Sequence, residues 1–108
     1  MIKYKVEIDI KVESEENWRN WMKEIHIRDV VNTGCFYDFN FQKIKSNGKE
    51  IPLGYSRYEI EYFSETRLNY DEYVEKYAKK LQLEHSQKYE GAYNASRTTY
   101  DIEDVFDN

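Results

Sequence analysis

The chain holds one cysteine, Cys35, and two histidines, His26 and His85. A single thiol cannot close an intramolecular disulfide, which points to a reducing compartment, and no Cys cluster offers a structural zinc site. Long apolar runs are absent as well. From Lys3 onward the N-terminus interleaves charge with apolar residues, so neither a signal-peptide core nor a membrane span is read there. The expectation is a soluble, cytoplasmic protein with no membrane partner. Positive charge is in deficit: 16 Lys and Arg stand against 21 Asp and Glu, for a formal net charge of −5. That balance opposes the cationic surface that phosphate binding needs, so nucleic acid is not an expected partner.

What is abundant is aromatic. Such residues make up 17% of the chain, with 11 Tyr, and tyrosine supplies core bulk while keeping a hydroxyl that wants water or a partner. A core of this kind suits either a wet pocket or an interface. At 108 residues the chain is one domain that buries roughly 65% of its unfolded surface, enough for a core without staples.

The stretch from Ile2 to Val12 alternates strictly. Its even positions are Ile2, Tyr4, Val6, Ile8, Ile10 and Val12, and its odd positions are charged, from Lys3 to Glu13. This predicts a strand with one dry and one wet face, and hence an antiparallel or mixed sheet covered on one side by helices. Ser14 is placed as an N-cap with Glu15 and Glu16 in the first turn. Trp18, Trp21, Met22 and Ile25 then fall on one helical stripe, while Ile27, Val30 and Val31 fall on another, which predicts a bend or restart near His26 to Arg28.

Cys35 to Ile44 reads as a second strand with its odd positions dry. Asn47-Gly48 marks a turn, lengthened by Pro52 and Gly54, and a third strand follows with Tyr58, Ile60 and Tyr62 on its dry face. Asn69 and Glu72 resemble a capping box ahead of a helix whose apolar face runs Tyr70, Tyr73, Val74, Tyr77, Leu81 and His85. A last strand spans Tyr93 to about Ile102. The order β-α-β-β-α-β is the ferredoxin-like split βαβ arrangement, an antiparallel four-stranded sheet with two helices on one face. Residues 1–103 form this domain and 104–108 an acidic tail. The wet face mixes signs, with Lys3, Lys5, Arg57 and Arg97 set against Glu7, Asp9, Glu59 and Glu61.

Trp18-x-x-Trp21-Met22-x-x-x-His26-Ile27, with Val30, Thr33-Gly34-x-Phe36, Leu81-x-x-Glu84-His85 and Arg97-Thr98, resembles a small bacterial family of uncharacterised proteins. That family is a domain of unknown function related to the dimeric α/β-barrel superfamily. Arg28 stands where members often carry proline, and Tyr77 where they carry histidine. The resemblance implies a ferredoxin-like protomer whose sheet pairs with that of a second copy into a barrel. It implies no reaction, although related superfamily members include cofactor-free monooxygenases and cyclases.

His26 and His85 are the acid or base candidates. Placed near helix C-termini, where imidazolium is favoured, either is expected to titrate near neutral pH. Trp18, Trp21 and Met22 could wall a ligand cavity between helix and sheet, with hydroxyls from Tyr58, Tyr62, Tyr73 and Tyr77 inside it and Arg97 orienting the ligand. Plain core packing is the competing reading of the same stripe. Glu84 beside His85 suggests a two-His, one-carboxylate set, but adjacent helical residues point about 100° apart, so no metal site is expected. No cofactor is expected either. Two functional readings stay open: a homodimeric barrel protein that binds a small organic molecule, as a cofactor-independent enzyme or without chemistry, and a non-catalytic assembly module whose histidines are structural.

Overall fold

Alternation shapes the sheet as its chemistry requires. In the computed structural model, which describes residues 1–106, β1 (Ile2–Lys11) buries Ile2, Tyr4, Val6, Ile8 and Ile10 on one side. Four strands pair antiparallel in the order β2-β3-β1-β4, with β2 at Asp38–Ile44, β3 at Tyr55–Ser64 and β4 at Tyr93–Asp101. The register sets Val6 opposite Ile60 and Ile8 opposite Tyr58, so the dry residues of the central pair share one face. Two helices cover that face: α1 (15–31) joins β1 to β2, and α2 (67–88) joins β3 to β4. A single core cluster contains Trp18, Met22, Ile27, Val30, Tyr73, Ala78 and Leu81 from the helices together with the dry sheet residues. The fold is the expected ferredoxin-like βαββαβ sandwich.

Each helix contains a π turn, and this corrects the expected apolar stripes. In α1 the segment Met22–His26 lies between α-helical Glu15–Trp21 and Ile27–Val31; in α2, Val74–Ala78 lies between Arg67–Tyr73 and Lys79–Lys88. A π turn closes i→i+5 and so advances the buried stripe by one residue. Met22 is therefore followed inward by Ile27 and Val30, while Ile25 is 46% exposed. Likewise Tyr73 is followed by Ala78, and Val74 turns outward. The break expected near His26 is thus an extra residue in a continuous helix.

Smaller boundaries differ for local reasons. Val12 leaves β1 for a 3-10 turn (Val12–Ser14) that winds into α1, so the Glu15 amide already donates to Val12 O and Ser14 makes no side-chain cap. The N-cap of α2 is Thr66, whose hydroxyl accepts from the Asn69 amide, rather than Asn69 itself. In β2 the odd residues Phe39 and Phe41 do register against Tyr62 and Ile60, but the strand is an edge and Phe39 stays 43% exposed. Cys35 and Phe36 bury in the loop before it. Asp107 and Asn108 of the expected acidic tail lie outside the described residues.

The wet face is partly closed by the chain itself. Arg57 is buried and reaches Asp9 through two hydrogen bonds of 2.7 and 2.9 Å and Glu7 Oε1 at 3.1 Å. The β2–β3 connection folds over this pair: the Lys49 carbonyl accepts from Arg57 at 3.0 Å, and Lys49 Nζ lies 2.7 Å from Glu7. Gly48, at φ +81°, lets the connection turn back onto the sheet. Buried ions need such partners, since an unpaired one costs several kcal/mol. Arg97 was expected on this face and is not there. It pairs opposite Val6, which puts it on the helix side of β4.

The two capping assignments separate experimentally. Thr66→Ala is expected to lower the urea-unfolding free energy by about 1 kcal/mol, whereas Ser14→Ala should change it by less than about 0.5 kcal/mol.

Candidate functional site

The π turns bring the two histidines together between the helices and the sheet. His26 closes the π turn of α1, and His85 sits on the last turns of α2, facing the same core. Their ring centroids are 5.6 Å apart. Trp21 stacks on His26 at 5.1 Å, and Tyr93 meets His85 edge-on at 4.5 Å. Trp18 is fully buried and donates from Nε1 to His85 Nε2 at 2.9 Å, a bond that directly links α1 to α2 at the site. Indole N–H is only a donor, so His85 Nε2 must be unprotonated and the ring proton sits on Nδ1. His26 Nδ1 is buried and makes no hydrogen bond among the described residues.

Both imidazoles are held to about 4, well below the ordinary histidine value. Burial is the main cause in each; the positive field of Arg97 adds to it, and His85 also feels His26. Desolvation here outweighs the helix C-terminus that was expected to favour imidazolium. Both rings are neutral at pH 7. The neighbouring phenols Tyr4, Tyr62 and Tyr73 are raised, chiefly by burial, and keep their protons as hydrogen-bond donors.

A small cavity of about 20 Å³ is lined by both histidines, Met22, Tyr62, Gln82 and Arg97 among others. That is room for one water molecule or one terminal polar group of a ligand. Outside it lies a groove of about 600 Å³ between α2 and β4. Tyr4, Tyr73, Gln82 and Arg97 belong to both linings, so they form the partition between groove and inner cavity. Gln82 Nε2 donates to the Tyr4 hydroxyl at 3.4 Å across that partition. At one end of the groove the Tyr70 and Thr99 hydroxyls bridge α2 to β4 at 2.9 Å.

Of the residues singled out in the sequence, His26, His85, Met22, Tyr62 and Arg97 line the inner cavity, and Trp18 and Trp21 pack around its histidines. Two tyrosines lie elsewhere. Tyr58 donates to Glu15 at 2.6 Å at the far end of the layer, where burial first and then that carboxylate push it up to about 12. Glu15 itself is held down to about 2: burial raises it, but hydrogen bonds from Lys43, Tyr58 and Ser56 prevail. Tyr77 lines an outer cleft between α1 and α2 with Asp29 and Glu84, because the second π turn rotates it off the buried stripe. Glu84 is therefore turned away from the histidines, and no group of three His, Cys, Asp or Glu gathers among the described residues. Sequence reading missed Gln82 and Lys79, since the π turn of α2, unlike that of α1, leaves no mark in the apolar spacing. The signal available was Arg97, a charge on the same parity as Tyr93 and Ala95.

Residues 1–103 match the family described as Domain of unknown function (DUF4286). The chain belongs to that family. No curated protein matches the sequence. Among solved structures, the DUF4286 chain resembles At3g17210 from Arabidopsis thaliana at TM-score 0.69 and 18% identity, covering 98% of this chain and 99% of that one. It resembles a dimeric ferredoxin-like protein from an uncultured marine organism at TM-score 0.68 and 13% identity, over 100% of both chains. It also resembles a mutant of MhuD with two manganese protoporphyrin IX bound per active site, at TM-score 0.60 and 14% identity over 100% of this chain and 98% of that one. At such identities the likeness concerns the fold. No helix of the described DUF4286 domain is long and apolar enough to cross a membrane.

The buried neutral histidines make stability depend on pH. Unfolded histidine takes its proton near 6.5, while the native rings refuse it until about 4, so the unfolded state binds more protons in between. Stability is complete above about pH 6.5 and falls as pH drops towards 4. Urea unfolding should lose about 2 kcal/mol per histidine between about pH 7 and about pH 5. His85→Gln should flatten that slope; an unchanged slope in the variant would contradict the placement of His85.

Proposed function

We propose that this protein binds a small organic molecule in the groove between α2 and β4, with the polar end of the ligand reaching the two-histidine cavity. One observation carries the reading: the same four residues wall both spaces, so a ligand in the groove needs to pass only Gln82 and Tyr4 to meet His26. A groove of about 600 Å³ with an apolar, aromatic lining and a few convergent polar groups has the character of a small-molecule site. π turns in both flanking helices fit this, since such turns are frequent at functional sites. His26, with its Nδ1 unpartnered, is the group that would exchange a hydrogen bond with the ligand; His85 orients and screens it. Arg97 orients the ligand from the β4 side, and Met22, Trp18, Trp21 and Tyr62 form the wall behind. Whatever chemistry follows uses no cofactor.

The porphyrins of the MhuD structure do not fit here. His85 Nε2 is occupied by Trp18, and the space that both histidines line is about 20 Å³, too small to admit a macrocycle to either ring. The second reading, an assembly module with structural histidines, draws on that same Trp18–His85 bond.

The working unit in this reading is a homodimer of domain 1–103 joined through the sheet, with the tail 104–108 outside it. Half of the wet face is already closed by the β2–β3 connection. The remaining half presents Lys3, Lys5, Glu59 and Glu61 beside Phe63 and Tyr100, a surface of balanced charge and aromatic area. The lone buried thiol of Cys35 suits a reducing, cytoplasmic setting.

Light scattering should give twice the 13.2 kDa chain mass, and Phe63→Asp with Tyr100→Asp should reduce it to one chain; a parent monomer would overturn the dimer. For the site, amide-resolved NMR with a library of aromatic fragments should shift residues around Gln82, Leu83 and Arg97. His26→Ala should weaken fragment binding at least about tenfold without lowering the melting temperature. Shifts confined to other surfaces, or a His26→Ala protein that binds as the parent does, would favour the assembly reading.

A further inference from the structure

Charge in the groove runs against charge in the chain. The protein carries a net −5, yet the only ionised side chains lining the groove among the described residues are Lys79 and Arg97, both cationic. Neither lies in a salt bridge with a carboxylate of the described residues. Arg97 lies on the helix side of its strand and is exposed where it lines the groove. Its neighbours on that side are Ala95 and Thr99, and its partner across the ladder is Val6. An accessible guanidinium with no carboxylate partner, set at the partition between a groove and an inner cavity, is placed to pair with an anionic group that enters the groove.

Resting on the groove reading above, we propose that the ligand is an organic acid: an aromatic body held between Tyr70, Tyr73 and Tyr93, with a carboxylate paired to Arg97 at the entrance to the two-histidine cavity. Guanidinium binds a carboxylate through two parallel hydrogen bonds, which fixes orientation as well as charge. The phenols of Tyr4 and Tyr73, kept protonated by burial, are further donors to the same anion. Offset or edge-on contact with three tyrosine rings suits a flat ligand body. No carboxylate lines the groove to compete for Arg97, and the neutral histidines can receive a hydroxyl or keto group carried further along the ligand.

One other apolar cleft offers cations. Between α1 and β2, about 490 Å³ is lined by Ile27, Val31, Phe39 and Phe41 with Lys23 and Arg28. It shares no lining residue with the histidine cavity, and this makes Arg28→Gln a control with the same change in net charge.

The test measures matched pairs, benzoate against benzamide and naphthoate against naphthamide, by NMR titration of the intact protein, its Arg97→Gln variant and its Arg28→Gln variant. The acid of each pair should bind at least about tenfold tighter than its amide, the increment of one charge-assisted hydrogen bond. Arg97→Gln should erase that preference and Arg28→Gln should leave it. Equal binding of acid and amide in the groove would overturn the organic-acid assignment while the groove reading stands. A preference abolished by Arg28→Gln instead would move the anion to the other cleft and overturn it too. If no probe shifts residues of the groove, both the assignment and the groove reading fail.

Discussion

The rest of the structure depends on burying a bulky aromatic layer between one sheet face and two helices. Trp18 is its centre: the ring is wholly enclosed, packs on Tyr58 and Phe41 of the sheet, and donates its only proton to His85 on the other helix. An indole N–H left unbonded in such a place costs about 1–3 kcal/mol. The acceptor that relieves this cost must be an unprotonated nitrogen, so the packing of α1 dictates the protonation state of a side chain on α2. The neutrality of the histidine pair follows from packing first and from titration second.

The same layer explains why a cavity exists at all. Aromatic rings and two imidazoles do not tile a surface as closely as Leu and Ile do, and each π turn replaces one regular contact by a shifted one. The misfit collects between His26, Met22 and Tyr62, next to the partition residues Gln82 and Arg97. Its wall mixes Val6, Ile8, Val30 and Ile60 with polar atoms, of which His26 Nδ1 lacks a partner among the described residues. A space of that size beside an unpartnered polar atom has room for one water molecule or one polar group.

On the opposite side of the sheet the constraint is electrostatic. Glu7 and Glu59 are paired directly across the central ladder, a repulsive arrangement in isolation. Arg57 and Lys49 answer it, and Glu7 is held below the usual carboxylate range despite burial because Lys49, Asn47 and Arg57 all stabilise its charge. The long β2–β3 connection thus acts as a cover for the buried charges, leaving the Lys3 to Glu61 end of the face open.

Strand identity, the two faces of β1 and β3, the order of elements and the ferredoxin-like class were legible in the chain, because side chains alternate with a period of two and that period depends on nothing distant. The presence of both histidines near the apolar layer was legible for the same local reason. Three things were decided only by the tertiary structure. A break near His26 showed in the shifted apolar stripe, but its form as a π turn, and the second π turn in α2, did not, because inserting one residue into a helix is settled by what it packs against; Ile25 and Ile27 are equally apolar, and only the sheet beneath chooses between them. The side occupied by Arg97 depended on the register of β4 against β1, which no residue of β4 specifies alone. The protonation of His26 and His85 turned on burial, and burial belongs to the assembled layer: by sequence both stood near helix ends that favour charge, but with Trp18 and Arg97 brought beside them the neutral form wins.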